Sequence, residues 1–113
     1  MTSNDHEDRL FVYGSLVDAA ERARLLGRPI EATPARLPGY ARGQKRYYFV
    51  AKREGAMTEG AILEGLSVRD FEILDKYEAV PELYTRERIA VTAADGGAIE
   101  CWIYLPTSWA RAE

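Results

Sequence analysis

Two segments near the end of the chain, Arg86–Ala93 and Ile99–Leu105, alternate polar and apolar residues and flank Asp95-Gly96-Gly97. A period of two puts the apolar members of each segment on one face, and an Asp-Gly turn between two such runs is a hairpin signal. The C-terminal third is therefore committed to antiparallel sheet. Other strand-like runs are Leu10–Tyr13, the aromatic and β-branched Tyr47–Ala51, and Gly60–Leu66. Glu54-Gly55 reads as a turn. Residues 30–46 are expected to be irregular, because Pro34, Pro38, Gly39 and Gly43 interrupt them, although part of the stretch near Ala32–Leu37 could pair as a strand. One short helix is expected from Asp18, a candidate N-cap, to Leu26, with Gly27 and Pro29 as its stop. A clearer helix begins at Ser67, which with Asp70 forms a capping pair, carries Val68, Phe71 and Leu74 on one face, and ends before Pro81. Five or six closely spaced strands with two helices predict an α+β fold, a small mixed or antiparallel β-barrel with flanking helices.

A chain of 113 residues has the length of one domain. Residues 1–8, polar, acidic and without apolar periodicity, read as a disordered tail, which leaves 9–113 as the single domain. The net charge of −3 offers no electrostatic footprint for nucleic acid. Its densest positive group, Arg42, Lys45 and Arg46, sits beside an aromatic pair and reads as a solvated strand entry rather than an RNA patch. One cysteine excludes an internal disulfide. Alternation puts Cys101 on a face with Ile99, Ile103 and Leu105, so an inert buried thiol is expected. His6 is the one histidine and lies in the tail. No Cys, His, Asp or Glu spacing resembles a metal site. No apolar run approaches the ~20 residues of a membrane span and no signal peptide is legible, so no membrane partner is expected and the cytoplasm is the expected location.

Two places break the local rules. Glu78 follows Leu74 by four residues and Phe71 by seven, spacings that put a carboxylate on the apolar face of the second helix. Burial raises a carboxyl pKa toward neutrality, which suits a general acid or base near pH 7. If the helix instead ends before residue 78, the side chain is simply solvated; spacing alone does not choose. Asp75 is expected further round the helix, paired with solvent or Arg69. The second place is Tyr13-Gly14-Ser15-Leu16, where an apolar strand runs into glycine and a small hydroxyl residue. Bare N–H groups at a strand-to-helix junction favour an anion, although Gly-Ser after a strand is often only a turn. Several of the seven tyrosines, among them Tyr13, Tyr47, Tyr84 and Tyr104, fall in or beside predicted strands. They could line a small pocket or simply pack the barrel.

Taken together, these segments resemble the γ-glutamylcyclotransferase-like superfamily. Leu10-Phe11-Val12-Tyr13-Gly14-Ser15-Leu16 is similar to its N-terminal signature, and Glu59-Gly60-Ala61-Ile62-Leu63 to its central glycine-containing strand. Leu74-Asp75-Lys76-Tyr77-Glu78 resembles its Leu-Asp-x-x-Glu segment, and Tyr84-Thr85-Arg86 the Tyr-x-Arg element that follows. The resemblance implies a cavity at one end of the barrel and an acyltransferase or lyase reaction. In it the α-amine of a γ-glutamyl substrate attacks its own γ-carbonyl, closing 5-oxoproline and expelling an amine or amino acid. It implies no metal, nucleotide or other cofactor, and no covalent intermediate. By position in the motif, Glu78 would be the general acid/base. Gly14, Ser15 and Leu16 would grip the substrate through their amides, and Tyr13, Tyr84 and Tyr104 would shape the pocket. Arg86 would contact substrate or pair with a nearby acid to fix its strand. A non-catalytic binding protein, or a related acyl-transfer or hydrolytic enzyme, are the alternatives on the same scaffold. Three departures stand out. Ser15 is followed directly by Leu16, as in the branch of γ-glutamylamine cyclotransferases. Ala79 replaces the glycine that commonly follows the glutamate. The segment from Gly39 to Tyr48 matches no family pattern.

Overall fold

The computed structural model describes residues 8–110, so His6 and most of the predicted tail lie outside the described residues. Asp8 is tied to the fold: its carbonyl accepts from the Leu66 amide at 3.1 Å and its carboxylate from the Gly65 amide at 3.2 Å. The chain then runs through strand β1 (Leu10–Val12), a 3-10 turn (Ser15–Val17) and helix α1 (Ala19–Leu26). Strands β2 (Ala32–Gln44) and β3 (Tyr48–Leu63) follow. After helix α2 (Val68–Tyr77) come strands β4 (Tyr84–Ala93) and β5 (Ala98–Pro106), and a 3-10 turn at Ser108–Ala110. The strands close into a barrel in the order β1-β3-β2-β4-β5. β1 runs parallel to β5, with Leu10 beside Trp102, and the other neighbours are antiparallel, so the sheet is mixed.

The three residues of β1 are all buried, because this strand has core on both faces. Phe11, with Tyr13 just beyond the strand, points into the barrel among Leu37, Val50, Ile62, Val91 and Ile103. Leu10 and Val12 point the other way, into a second core with Leu26, Phe71 and Leu74 under the helices. A strand sandwiched this way must read as a continuous apolar run, as Leu-Phe-Val does. Gly60 lets β3 approach it: a Cβ there would lie 2.3 Å from the Val12 carbonyl oxygen and 2.6 Å from the Phe11 ring. Cys101 belongs to the barrel core, and burial pushes its thiol up to about 12, too high for a thiolate at neutral pH.

Two sequence expectations need correction. Residues 30–46 are not largely irregular; thirteen of them form β2. Among the described residues β2 pairs with β4 only at Ala35 and Arg36, which leaves most of that edge without a strand neighbour among them. A proline on such an edge removes no ladder hydrogen bond. Nor is Glu54-Gly55 a turn between two strands. β3 runs through it, and the register jumps from Pro38–Met57 to Tyr40–Lys52, so Gly39 alone faces residues 53–56. Gly39 (φ 82°) and Gly55 (φ 81°) take the left-handed backbone conformation of this bulge.

Candidate active site

α2 starts as expected. The Ser67 hydroxyl accepts from the Asp70 amide at 3.0 Å, and the Asp70 carboxylate accepts from the Ser67 amide at 2.9 Å, a complete capping box. Arg28 adds a two-pronged ion pair to Asp70 at 3.0 and 2.6 Å, and these bonds hold that carboxyl at about 2. With its first turn fixed, the helix delivers Asp75 and Glu78 to one end of the barrel. Glu78 is the C-cap, its amide donating to the Leu74 carbonyl at 2.8 Å. Ala79 then turns the chain out of the helix at φ 56°, a conformation that favours glycine.

The two carboxylates differ in their partners. Asp75 does not pair with Arg69, which lies 3.6 Å from Glu72 instead. Asp75 accepts from Arg86 Nε at 2.9 Å and Nη2 at 3.3 Å, and from the Tyr104 hydroxyl at 2.6 Å. The Glu78 carboxylate, partly buried, accepts a hydrogen bond from no group among the described residues. Burial, and second the nearby Asp75 charge, raise its pKa to about 7.

Glu78 lines a cavity of about 360 Å³, at the small end of the usual ligand-site range of roughly 300–1,000 Å³. Tyr13, Gly14, Ser15, Leu16, Tyr84 and Tyr104 line the same cavity. The segment after β1 therefore meets the end of α2, more than sixty residues away in sequence. In the 3-10 turn the Gly14 and Ser15 carbonyls accept from the amides of Val17 (3.0 Å) and Asp18 (3.2 Å). A trans peptide points its N–H opposite to its carbonyl, so the Ser15 and Leu16 amides face out of the open end of the turn. Neither amide, nor that of Gly14, has an acceptor among the described residues. The buried Arg22 side chain of α1 clamps the turn from behind. It donates to the carbonyls of Leu16 (3.2 Å), Val17 (2.9 Å) and Ile30 (2.6 and 3.0 Å).

The tyrosine hydroxyls are already engaged. Tyr13 donates to the Tyr104 carbonyl at 2.6 Å, Tyr104 to Asp75, and Tyr84 to the Tyr48 carbonyl. Burial above all raises the pKa of all three, so they stay neutral. Their protons tie the wall together and their rings face the space. The Ser15 and Tyr77 hydroxyls lie 2.8 Å apart, and Tyr77 donates to Glu21 at 3.1 Å. Arg86 does not line the cavity. Its guanidinium lies 4.5 Å from the Phe71 ring centroid and 4.6 Å from that of Trp102, and it holds Asp75.

Sequence reasoning missed several lining residues. Gln44, Arg46 and Tyr48, with Tyr47, whose role the sequence left open, come from the β2–β3 hairpin, and Tyr77 from α2. Trp109 braces that hairpin, its ring edge-on to Tyr47 (5.8 Å), Phe49 (5.7 Å) and Tyr84 (5.7 Å). No local signal in the sequence marks Trp109 or Arg22 for these roles. Among the described residues no cluster of His, Cys, Asp and Glu could hold a metal ion, and no helix is long and apolar enough to cross a membrane.

Comparison with known proteins gives the family and the fold of the chain. A curated relative from Methanocaldococcus jannaschii, named gamma-glutamylcyclotransferase and putative RNase, is 27% identical over 106 residues. The match covers 91% of this chain but 48% of that protein, so the chain spans about half the length of its curated relative. A solution structure from Arabidopsis thaliana superposes with a TM-score of 0.81 at 26% identity, covering 94% of this chain and 71% of that one. An AIG2-like protein from Mus musculus has the same fold, with a TM-score of 0.73 at 18% identity over 89% of this chain and 78% of that one. Residues 10–113 match the family described as gamma-glutamyl cyclotransferase, AIG2-like, from the first barrel strand to the chain's last residue. By that match this chain belongs to the AIG2-like gamma-glutamyl cyclotransferase family.

Proposed function

We propose that this protein cyclises a γ-glutamyl substrate to 5-oxoproline and releases an amine or amino acid, with Glu78 as the general acid/base. The observation that carries the reading is the shared cavity: a carboxylate with no donor among the described residues and a pKa near 7 lines it together with Gly14, Ser15 and Leu16. The substrate binds with its α-ammonium at Glu78. Glu78 takes one proton, the freed amine attacks the γ-carbonyl carbon, and the carbonyl oxygen gains negative charge. The Gly14–Leu16 amides stabilise either that oxyanion or the substrate carboxylate. Collapse breaks the bond to the leaving nitrogen, which receives the first proton back from Glu78; Glu78 then takes the second proton from the ring nitrogen and passes it to the departing amine, so a neutral lactam and an ammonium are released. The attack is intramolecular, so a small cavity that holds the glutamyl chain folded supplies much of the acceleration. Arg86 and Tyr104 act on Asp75, whose charge keeps Glu78 basic enough for proton transfer.

The test is product analysis with a panel of γ-glutamyl amines, amino acids and peptides. 5-Oxoproline from wild type, and its loss in Glu78→Gln, is the expected result. Free glutamate in its place would make the protein a hydrolase, and ligand binding without turnover a binding protein.

A further inference from the structure

The cavity has a buried half and an open rim, and the rim carries the positive charge of Arg46. Gln44, Arg46, Tyr47 and Tyr48, at the end of the β2–β3 hairpin, form the exposed side of the lining. Arg46 stacks on Tyr47, its guanidinium carbon 5.7 Å from the ring centroid, and makes no ion pair among the described residues. Arg42 lies behind the rim, over the Tyr48 ring at 5.2 Å, and donates to the Tyr13 carbonyl at 3.0 Å. Three acids of the flanking elements have partners of their own: Glu21 has Arg24 and Tyr77, Asp18 the Ala20 amide, and Asp75 Arg86 and Tyr104. The charged residues lining the cavity are thus Glu78 inside and Arg46 at the mouth.

A substrate whose glutamyl end is held at Glu78 and the Gly14–Leu16 amides must direct its other end toward the open rim. Resting on the cyclotransferase reading, we propose that the rim selects a leaving group that carries a carboxylate. The preferred substrates are then γ-glutamyl amino acids or peptides, not γ-glutamyl derivatives of plain amines. An arginine presents paired N–H donors that match a carboxylate, and one stacked on an aromatic ring is partly pre-oriented for it. A leaving group bearing a second ammonium meets like charge at the same place.

A matched pair tests this: γ-glutamylalanine and γ-glutamylethylamide differ by the leaving group's carboxylate. Wild type should release 5-oxoproline from the first with a kcat/KM about fivefold higher, the scale of one exposed charge pair, and the ratio should shrink as salt rises. Arg46→Gln should bring the ratio close to one, and Arg46→Lys should keep part of it. A wild-type ratio of one or less, or a ratio unchanged in Arg46→Gln, overturns the proposal. If neither compound yields 5-oxoproline, the cyclotransferase reading fails separately, and calorimetric binding of the same pair decides the rim. A dissociation constant about fivefold lower for γ-glutamylalanine that equalises in Arg46→Gln upholds it. Equal affinity in wild type, or no binding of either, overturns it.

Discussion

The inner and outer halves of the cavity are built in different ways from the same residue type. Inside, Tyr13, Tyr84 and Tyr104 are 4–6% exposed, and every hydroxyl donates to a fixed protein acceptor. At the rim, Tyr47 and Tyr48 are 37–40% exposed and hold arginines by their ring faces. The inner half rests on β1, β5 and the capped end of α2, where in-register pairing from Tyr84–Pro106 to Thr92–Ala98 leaves little freedom. The rim rests on a bulged hairpin braced by Trp109. The halves meet at Trp109, which packs on both Tyr47 and Tyr84, and at the Tyr84 hydroxyl, which donates to the Tyr48 carbonyl. The same division appears within α2. Asp75 accepts three hydrogen bonds from Arg86 and Tyr104, whereas the Glu78 carboxylate, three residues on, accepts none among the described residues.

Predictions from this contrast run from the inner half outward in size. Glu78→Gln should lower kcat/KM for 5-oxoproline release by about 10²–10⁴-fold, the usual contribution of a positioned acid/base. A variant within tenfold of wild type would remove the inner half's claim to the chemistry. Gly60→Ala should destabilise the fold by about 3 kcal/mol, read by chemical denaturation, because its Cβ must displace the β1 backbone at Val12. An unchanged midpoint would show that β1 has room to shift.

Glu78 also makes a pH prediction. Its folded pKa of about 7 lies above the ordinary value of 4.5, so the folded state holds the proton more tightly than the unfolded chain. Stability is thus fully present below pH 4.5 and falls as the pH rises through about 7. Glu78→Gln has no such loss, and its stability relative to wild type should grow by roughly 3 kcal/mol between pH 4.5 and 8. Parallel pH profiles for the two proteins would mean that the carboxylate is well solvated. The smallest effect is expected at the helix end. Ala79→Gly should stabilise by about 0.5–1 kcal/mol, because φ 56° suits glycine better than alanine. A loss of stability on thermal denaturation would contradict that account.

Much of the inner half was legible before any coordinates. The Ser67–Asp70 capping box, the apolar Leu10–Val12, the β4–β5 hairpin and the phase of Glu78 relative to Phe71 and Leu74 are carried by neighbours within a few residues. Periodicity and caps report such short-range geometry directly. The rim was not legible. Two prolines and two glycines made residues 30–46 look irregular, and nothing local showed that β2 has an unpaired edge that tolerates proline.

The sequence by itself thus determined the capped start of α2 at Ser67, the apolar run of β1 and the β4–β5 hairpin. Only the tertiary structure decided that Asp75 and not Glu78 would find Arg86, that Arg22 would clamp the Gly14 turn, and that Arg46 would stand at the mouth. Helix phase and capping depend on bonds a few residues long, whereas a side chain's partners and desolvation depend on which distant segments the closed barrel brings beside it.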